Sequence, residues 1–297
     1  GLLDDRAQQE VWGDDPDVLI SSSYAPKGKV EPVEGGYNFS GQWQFSSGSD
    51  HCDWIFVGGL IPSEDGTPPS ISSFLIPRQD YEIVDDWYTT GLQGSGSKTL
   101  VVKDAFVPSY RIHGFDEGYR CVSPGQAVNT NAIYKLPFGQ VFVRAVSMPS
   151  VGATQGALDA YCAYNAGRLN SVGMAAKEFP ASQAAGAEAL TAIRTARLKM
   201  QDAYDTLLGK VERGEAFNDV ERAQYRYEAA RSVDDCVKVV QQLMANSGGS
   251  AIYTGNRVNE IFQDMLAFRQ HAANQPDGSS KNVGAVMFGQ PNMDFMS

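Results

Sequence analysis

In VEGGYNFSGQWQFSSG, residues 33–48, Gly35-Gly36 and Ser40-Gly41 punctuate alternating apolar positions, a pattern that predicts a strand, a tight turn and a second strand. The rhythm continues in WIFVGGLIP (54–62), SISSFLIPR (70–78), YEIVDDWYTTG (81–91) and SKTLVVKDAFVP (97–108), short runs rich in β-branched and aromatic residues. Such spacing predicts an antiparallel β-barrel or sandwich of about seven strands.

Near residue 145 the composition changes. Gly, Pro, Ser and aromatic residues give way to long windows of Ala, Leu, Gln, Arg and Glu. From Ala187 to Val211 apolar residues, among them Leu190, Ile193, Met200 and Leu207, recur at three- and four-residue steps and define one helical face. A second stripe runs from Val220 to Met244. Asn218 and Glu221 form a capping-box pattern at its start, and Gly248-Gly249 makes a stop after it. A third runs from Val258 to Phe268, leads to His271 and is ended by Pro276. With a helix from about Pro149 to Arg168 this makes a four-helix bundle. The reading is therefore an α+β protein, with a β domain at 17–144 and a helical bundle at 145–297.

The 297 residues carry 35 acidic against 24 basic side chains, a net charge of −11, which argues against nucleic acid or an anionic membrane as the partner. Cys52, Cys121, Cys162 and Cys236 form no CxxC pair and no zinc-site spacing with histidine, so free thiols and no metal are expected. There is no apolar run of membrane-spanning length, and GLLDDRAQQEVW at the start lacks the order of a secretory signal, so a cytoplasmic protein is expected.

Chemical motifs are sparse. GLQGSGSK (91–98) superficially resembles a phosphate loop but lacks its spacing and the helix that should follow, and it reads as a loop between strands. His51, His113 and His271 each read first as a surface or capping histidine; for His271, at the end of a helix, the helix dipole favours the charged form.

Several stretches, in order, resemble the acyl-CoA dehydrogenase superfamily. YNFSGQWQFSSGSDH is similar to the flavin-side hairpin of that family, and TTGLQGSGSKTLVVKDAFVP to the block that follows it. SSSYAPKG stands where the family has its TEPxAGS segment, and NSGGSAIYTGNRVNEIFQDMLAFRQHAAN resembles its late helix pair, with Gln263-Asp264 in place of an RD pair. Where the dehydrogenases place a catalytic Glu, the chain offers His271 and no acid, so dehydrogenation loses its base. SSSYAP, SSGSDH, HAAN and FGQPN instead resemble the family's flavin-monooxygenase branch, the oxygenase components that hydroxylate phenols such as a phenolic secosteroid or 4-hydroxyphenylacetate.

That resemblance implies a specific chemistry. A separate NAD(P)H:flavin reductase supplies reduced FMN or FAD, by docking or by diffusion of the flavin alone. Dioxygen adds at flavin C(4a), and the hydroperoxide hydroxylates a phenol ortho to its hydroxyl. It further implies that residues 1–16 end an N-terminal helical domain otherwise outside this chain. Ser47 would contact flavin N(5), Phe45 would pack on the ring, and Ser46 would lie beside them. Ser22 or Ser23 would face the pocket, where a phenol hydroxyl is the partner; strand alternation turns the two to opposite sides. His271, as an imidazolium, would stabilise a developing peroxide anion. Arg168 would reach the flavin across a subunit interface, which implies a homotetramer. The alternatives are an FAD oxidoreductase of the dehydrogenase type and a non-catalytic protein of the same fold.

Overall fold

The structure is a computed structural model and describes residues 1–63 and 66–297. The chain divides into two compact units. One comprises Gly1–Thr89 with Gln93–Phe138, the other Thr90–Leu92 with Gly139–Ser297. The division thus falls a few residues before the compositional change.

In the first unit helix α1 (Asp5–Trp12) precedes strands β1 (Ile20–Val33), β2 (Gly36–Ser46), β3 (Trp54–Ile61), β4 (Ser70–Pro77), β5 (Tyr81–Val84), β6 (Lys98–Pro108) and β7 (Ile112–Gly114), followed by the short helix α2 (Phe115–Arg120). The seven strands form one sheet in the order β5-β6-β2-β1-β3-β4-β7. The sheet is mixed, because β1 and β3 run parallel. After the β1–β2 hairpin the chain crosses β1 and re-enters the sheet on its far side, so the wholly antiparallel arrangement expected from strand spacing is not what forms.

Strand β1 divides its pairing. Ile20–Ser23 lie along β3, Lys29–Val33 lie along β2, and the register shifts between Ser23 and Gly28. The irregular stretch frees the Ala25 carbonyl, and the fully buried Trp43 fills the gap: its indole N–H is shared between Ala25 O (3.1 Å) and Gly58 O (2.9 Å). A Cβ at Gly28 would sit 2.3 Å from the Phe39 ring, so the bend requires glycine. Ser40-Gly41, expected as a turn, lies inside β2, where the register to β6 shifts between Phe39 and Gly41. Both halves of the sheet bury Phe39, Trp43, Ile55, Phe74, Leu100 and Val102 in one core. Helix α1, expected to belong to a separate helical domain, packs Leu3, Ala7 and Val11 against Leu75.

The second unit holds α3 (Phe138–Ser147), α4 (Pro149–Ala166), α5 (Pro180–Arg213), α6 (Asp219–Ala245), α7 (Arg257–Phe268) and α8 (Pro276–Met287). Four correspond to the expected bundle. Pro276 is the first residue of α8 as well as a stop, a position where its missing N–H costs nothing. On α5 the buried face begins at Ser182, Ala185 and Ala189. Leu190, assigned to that face from the sequence, is exposed. Asn218 caps α6 by accepting the Glu221 amide at 2.9 Å, but the Glu221 carboxylate pairs with Lys210 instead of closing the box. Helix α6 is buried on most of its circumference and carries Arg222, Arg226 and Asp234 into the interior beside Val233, Val240 and Leu243.

Candidate active site

The end of β2 leaves the regular ladder. Its register to β6 shifts between Trp43 and Ser46, and Phe45 takes a φ of 65°, in the left-handed region. For a phenylalanine that conformation costs on the order of 1–3 kcal/mol. It turns the ring outward, where it is 65% exposed and stands edge-on to Trp87 at 6.3 Å. The next residue, Ser46, is fully buried and hydrogen-bonds the hydroxyl of Ser21. Ser47 is exposed, its hydroxyl paired with that of Ser97, and its carbonyl accepts from Ser21 at 3.2 Å. The Gly48 amide donates to Ser95 O at 2.8 Å, so the GLQGSGSK loop, an inter-strand loop as expected, buttresses the turn.

The serines of β1 part as alternation requires. Ser21 and Ser23 face β2, the latter donating to Gln44 O at 2.8 Å. Ser22 points the other way, to a hydrogen bond with the Tyr24 hydroxyl. The Tyr24 ring meets Phe56, Phe115 and Phe138 edge-on at 6.0, 5.7 and 5.8 Å. Burial raises the pKa of Tyr24, with the Ser22 bond acting in the opposite sense. The structure therefore does not bring Ser22 to Ser47. Of the triplet Ser21-Ser22-Ser23, whose facing member the sequence leaves open, it is Ser21 that meets the Ser46-Ser47 pair.

His113, expected at the surface, is 3% exposed and its Nε2 pairs with Ser123 Oγ at 2.9 Å. Burial lowers its pKa to about 4, so the ring is neutral. His51 ends a short 3-10 turn at the surface.

In the helical unit His271 lies beyond the end of α7 and caps the 3-10 turn Ala272–Asn274. Its Nδ1 accepts the Ala273 amide at 3.1 Å, and its ring lies 6.3 Å from that of Phe142. His271 is exposed as a residue, yet the packing around its ring lowers the imidazole pKa, and Arg226 lowers it further. The geometry agrees with that direction, since a proton on Nδ1 would break the Ala273 bond. With Nδ1 accepting from the backbone, the neutral tautomer that this geometry supports carries its proton on Nε2, and burial and Arg226 work against the imidazolium that the helix dipole would favour.

Arg168 donates to Asn165 Oδ1 at 2.8 Å and to Asn246 O, at the end of α6, at 3.1 Å. Its guanidinium occupies the space a side chain on Gly248 would need, 2.4 Å from the ideal Cβ, and Gly248 has a φ of 74°. Gly248 and Arg168 thus specify each other.

Among the described residues four buried side-chain polar atoms have no hydrogen-bond partner: Ser49 Oγ, Asn165 Nδ2, Arg226 Nε and Asn274 Oδ1. Such atoms are uncommon, and each calls for a reason. Ser49 lies two residues from Ser47, Asn165 holds Arg168, and Arg226 and Asn274 frame the His271 turn. Unspent polar capacity is concentrated at the segments picked out as flavin-binding or catalytic. On the sheet unit an exposed aromatic ring and hydroxyls able to donate or accept are groups of the kind that suit a flavin's flat ring and N(5); on the helical unit Arg168 is a group of the kind that suits a phosphate. Among the described residues no cluster of three or more His, Cys, Asp or Glu could hold a metal, and no helix is long and apolar enough to cross a membrane.

A mixed seven-stranded sheet followed by a helical bundle defines the acyl-CoA dehydrogenase-like class, and residues 145–276 match the family described as acyl-CoA dehydrogenase, C-terminal domain. The crystal structure of 3-HSA hydroxylase from Rhodococcus sp. RHA1 superposes with a TM-score of 0.94 at 36% identity, covering 100% of this chain and 76% of that one. The flavin-dependent monooxygenase oxygenase subunit HsaA of Rhodococcus jostii is 37% identical over 99% of this chain and 78% of its own length. The oxygenase component of p-hydroxyphenylacetate 3-hydroxylase from Acinetobacter baumannii is 30% identical over 97% and 68%. The chain belongs to the family of flavin-dependent monooxygenase oxygenase subunits, enzymes that use reduced flavin and dioxygen.

Proposed function

We propose that this oxygenase hydroxylates a phenol ortho to its hydroxyl group, using reduced FMN or FAD supplied by a separate NAD(P)H-dependent flavin reductase. The observation that carries the reading is the Phe45–Ser49 segment, a strained backbone that turns an aromatic ring outward and leaves a buried hydroxyl without a partner. Such strain is retained where function requires it. The phenolic class is supported by the relatives, which include a p-hydroxyphenylacetate 3-hydroxylase.

On the sheet unit, Phe45 packs against the flavin ring and Ser47 presents its hydroxyl at the N(5) edge, while Ser46, expected from the resemblance to lie at the flavin, is buried and with Ser21 and Ser23 holds the segment from behind. Ser22, hydrogen-bonded to Tyr24 among aromatic rings, is the partner for the phenol hydroxyl. On the helical unit, the Nε2–H of His271 donates to oxygen as negative charge develops on it, and Arg168 holds the flavin phosphate. Bound reduced flavin supplies the two electrons. One oxygen atom enters the ring and the other leaves as water. The dehydrogenase reading is disfavoured because the chain offers His271 where an acid would act as base. The same proposal makes the protein a cytoplasmic homotetramer in aromatic catabolism.

Mixing the protein with reduced FMN or FAD, air and a panel of phenols tests it. One phenol should be converted to a catechol in step with oxygen consumption. Release of all the oxygen as hydrogen peroxide with every phenol, or tight FAD with acyl-CoA oxidation, would overturn it.

A further inference from the structure

Arg226 is 6% exposed on α6, and its only ion pair among the described residues is a long one. Its Nε faces Asp294 Oδ2 at 3.4 Å without making a hydrogen bond, and its Nη1 donates to Ala273 O at 2.9 Å. A buried guanidinium held this loosely is costly, because desolvation of the charge is only partly offset. The cost has a use at Ala273. That residue's carbonyl is held by Arg226, and its amide donates to His271 Nδ1. The same turn is closed by the Asn274 amide on His271 O at 2.8 Å and by Asn274 Nδ2 on Phe268 O at 3.0 Å.

Asp294 is fixed in turn by the tail that follows α8. Its Oδ1 accepts the Met296 amide at 2.9 Å, which leaves Oδ2 for Arg226. Its carbonyl accepts from the Ser297 hydroxyl at 2.6 Å. Of the other elements around His271, α3 contributes the uncharged ring of Phe142, and Arg269, two residues before it in the chain, turns its guanidinium to Asp234 at 2.8 Å. Arg226 is thus the charge that bears on the imidazole, with Asp294 as its counterion.

We infer that Arg226 is a positioning residue for His271: through Ala273 it commits Nδ1 as an acceptor, keeps the ring's single proton on Nε2, and projects a positive charge whose reach is set by Asp294. The inference rests on the reading of His271 as the donor to oxygen, but its structural content is independent of that chemistry. A ring whose second protonation is opposed by the Ala273 bond and by the Arg226 charge stays the same donor to lower pH than a free imidazole would. Where a purely structural Arg226 would only tie the tail to α6, this one also decides the imidazole's tautomer and titration.

The three histidines make the test tractable. In 15N-histidine-labelled full-length chain without flavin, the side-chain nitrogens of His271 are followed by two-dimensional NMR against pH, with those of the buried His113 as a control for folding. Wild type should show the Nε2–H tautomer. Arg226→Gln should mix the tautomers and move the His271 midpoint up, Arg226→Lys should restore it toward wild type, and Asp294→Asn should move it down. His271 resonances unchanged in both Arg226→Gln and Asp294→Asn, with His113 unmoved, would overturn the inference. If Arg226→Gln fails to fold, an unchanged midpoint in Asp294→Asn alone overturns it. His271→Gln, assayed for coupled hydroxylation, separates the two readings: full coupling there removes the catalytic role of His271, while the titrations still decide what Arg226 does.

Discussion

In the sheet unit the candidate residues are aimed by the path of the backbone itself, whereas in the helical unit they are aimed by hydrogen bonds that their side chains make beyond the helix ends. Phe45 faces outward because β2 shifts register and one residue enters the left-handed region. His271 and Arg168 sit beyond regular helices, where hydrogen bonds through Ala273, Asn165 and Asn246 fix them. A sheet can store strain in φ and ψ, since neighbouring strands over-determine the path of the chain. A helix end has unspent carbonyls and amides instead, and buried arginines read them. The two regions should therefore break differently: the first under changes of backbone freedom, the second under changes of charge and proton.

The largest effect is expected in the helical unit. If His271 is the proposed donor to oxygen, His271→Ala should lower coupled hydroxylation by roughly 100-fold or more, with hydrogen peroxide rising in its place. Product and peroxide measured together check this, and a merely structural role would lower both.

Proton sensitivity is not confined to that unit. Buried His113 has a folded pKa of about 4 against an ordinary 6.5. In that window the unfolded chain binds more protons, so the contribution of His113 is full above pH 6.5 and is lost as the pH falls to about 4. The loss amounts to about 3 kcal/mol. Urea midpoints across this range should fall in wild type and flatten in His113→Asn.

Trp43→Phe keeps a ring in the core but leaves the Ala25 and Gly58 carbonyls without their indole donor. Denaturant unfolding should show a loss of about 1–3 kcal/mol.

The same contrast explains what could be read without coordinates. Strand rhythm and helix stripes follow from the two side-chain periods, so the elements around Phe39, Trp43 and Leu243 were legible. Periodicity says nothing of where a strand changes partners, and so the parallel β1–β3 pairing was not. The triplet Ser21-Ser22-Ser23 shows that alternation predicts a split but not which side is which; that depends on the register shift before Gly28. Leu190 was misplaced because the first turns of the buried stripe are carried by the small residues Ser182, Ala185 and Ala189, and the larger Leu190 stands one position off it. Buried Arg222 and Arg226 were missed for a different reason: in a sequence, charge on a helix reads as solvated surface, and only packing against the tail shows otherwise.

The smallest expected change in stability tests the largest claim, that the end of β2 is strained in order to hold flavin. Phe45→Gly should relieve the left-handed strain while adding backbone entropy, so unfolding free energy should stay within about 1 kcal/mol of wild type or rise. Reduced-flavin affinity, measured anaerobically on the same preparation, should fall about tenfold or more with the loss of an aromatic stacking face. A variant that binds reduced flavin as tightly as wild type would contradict the account, since Phe45 would then be strained for no purpose the flavin can explain.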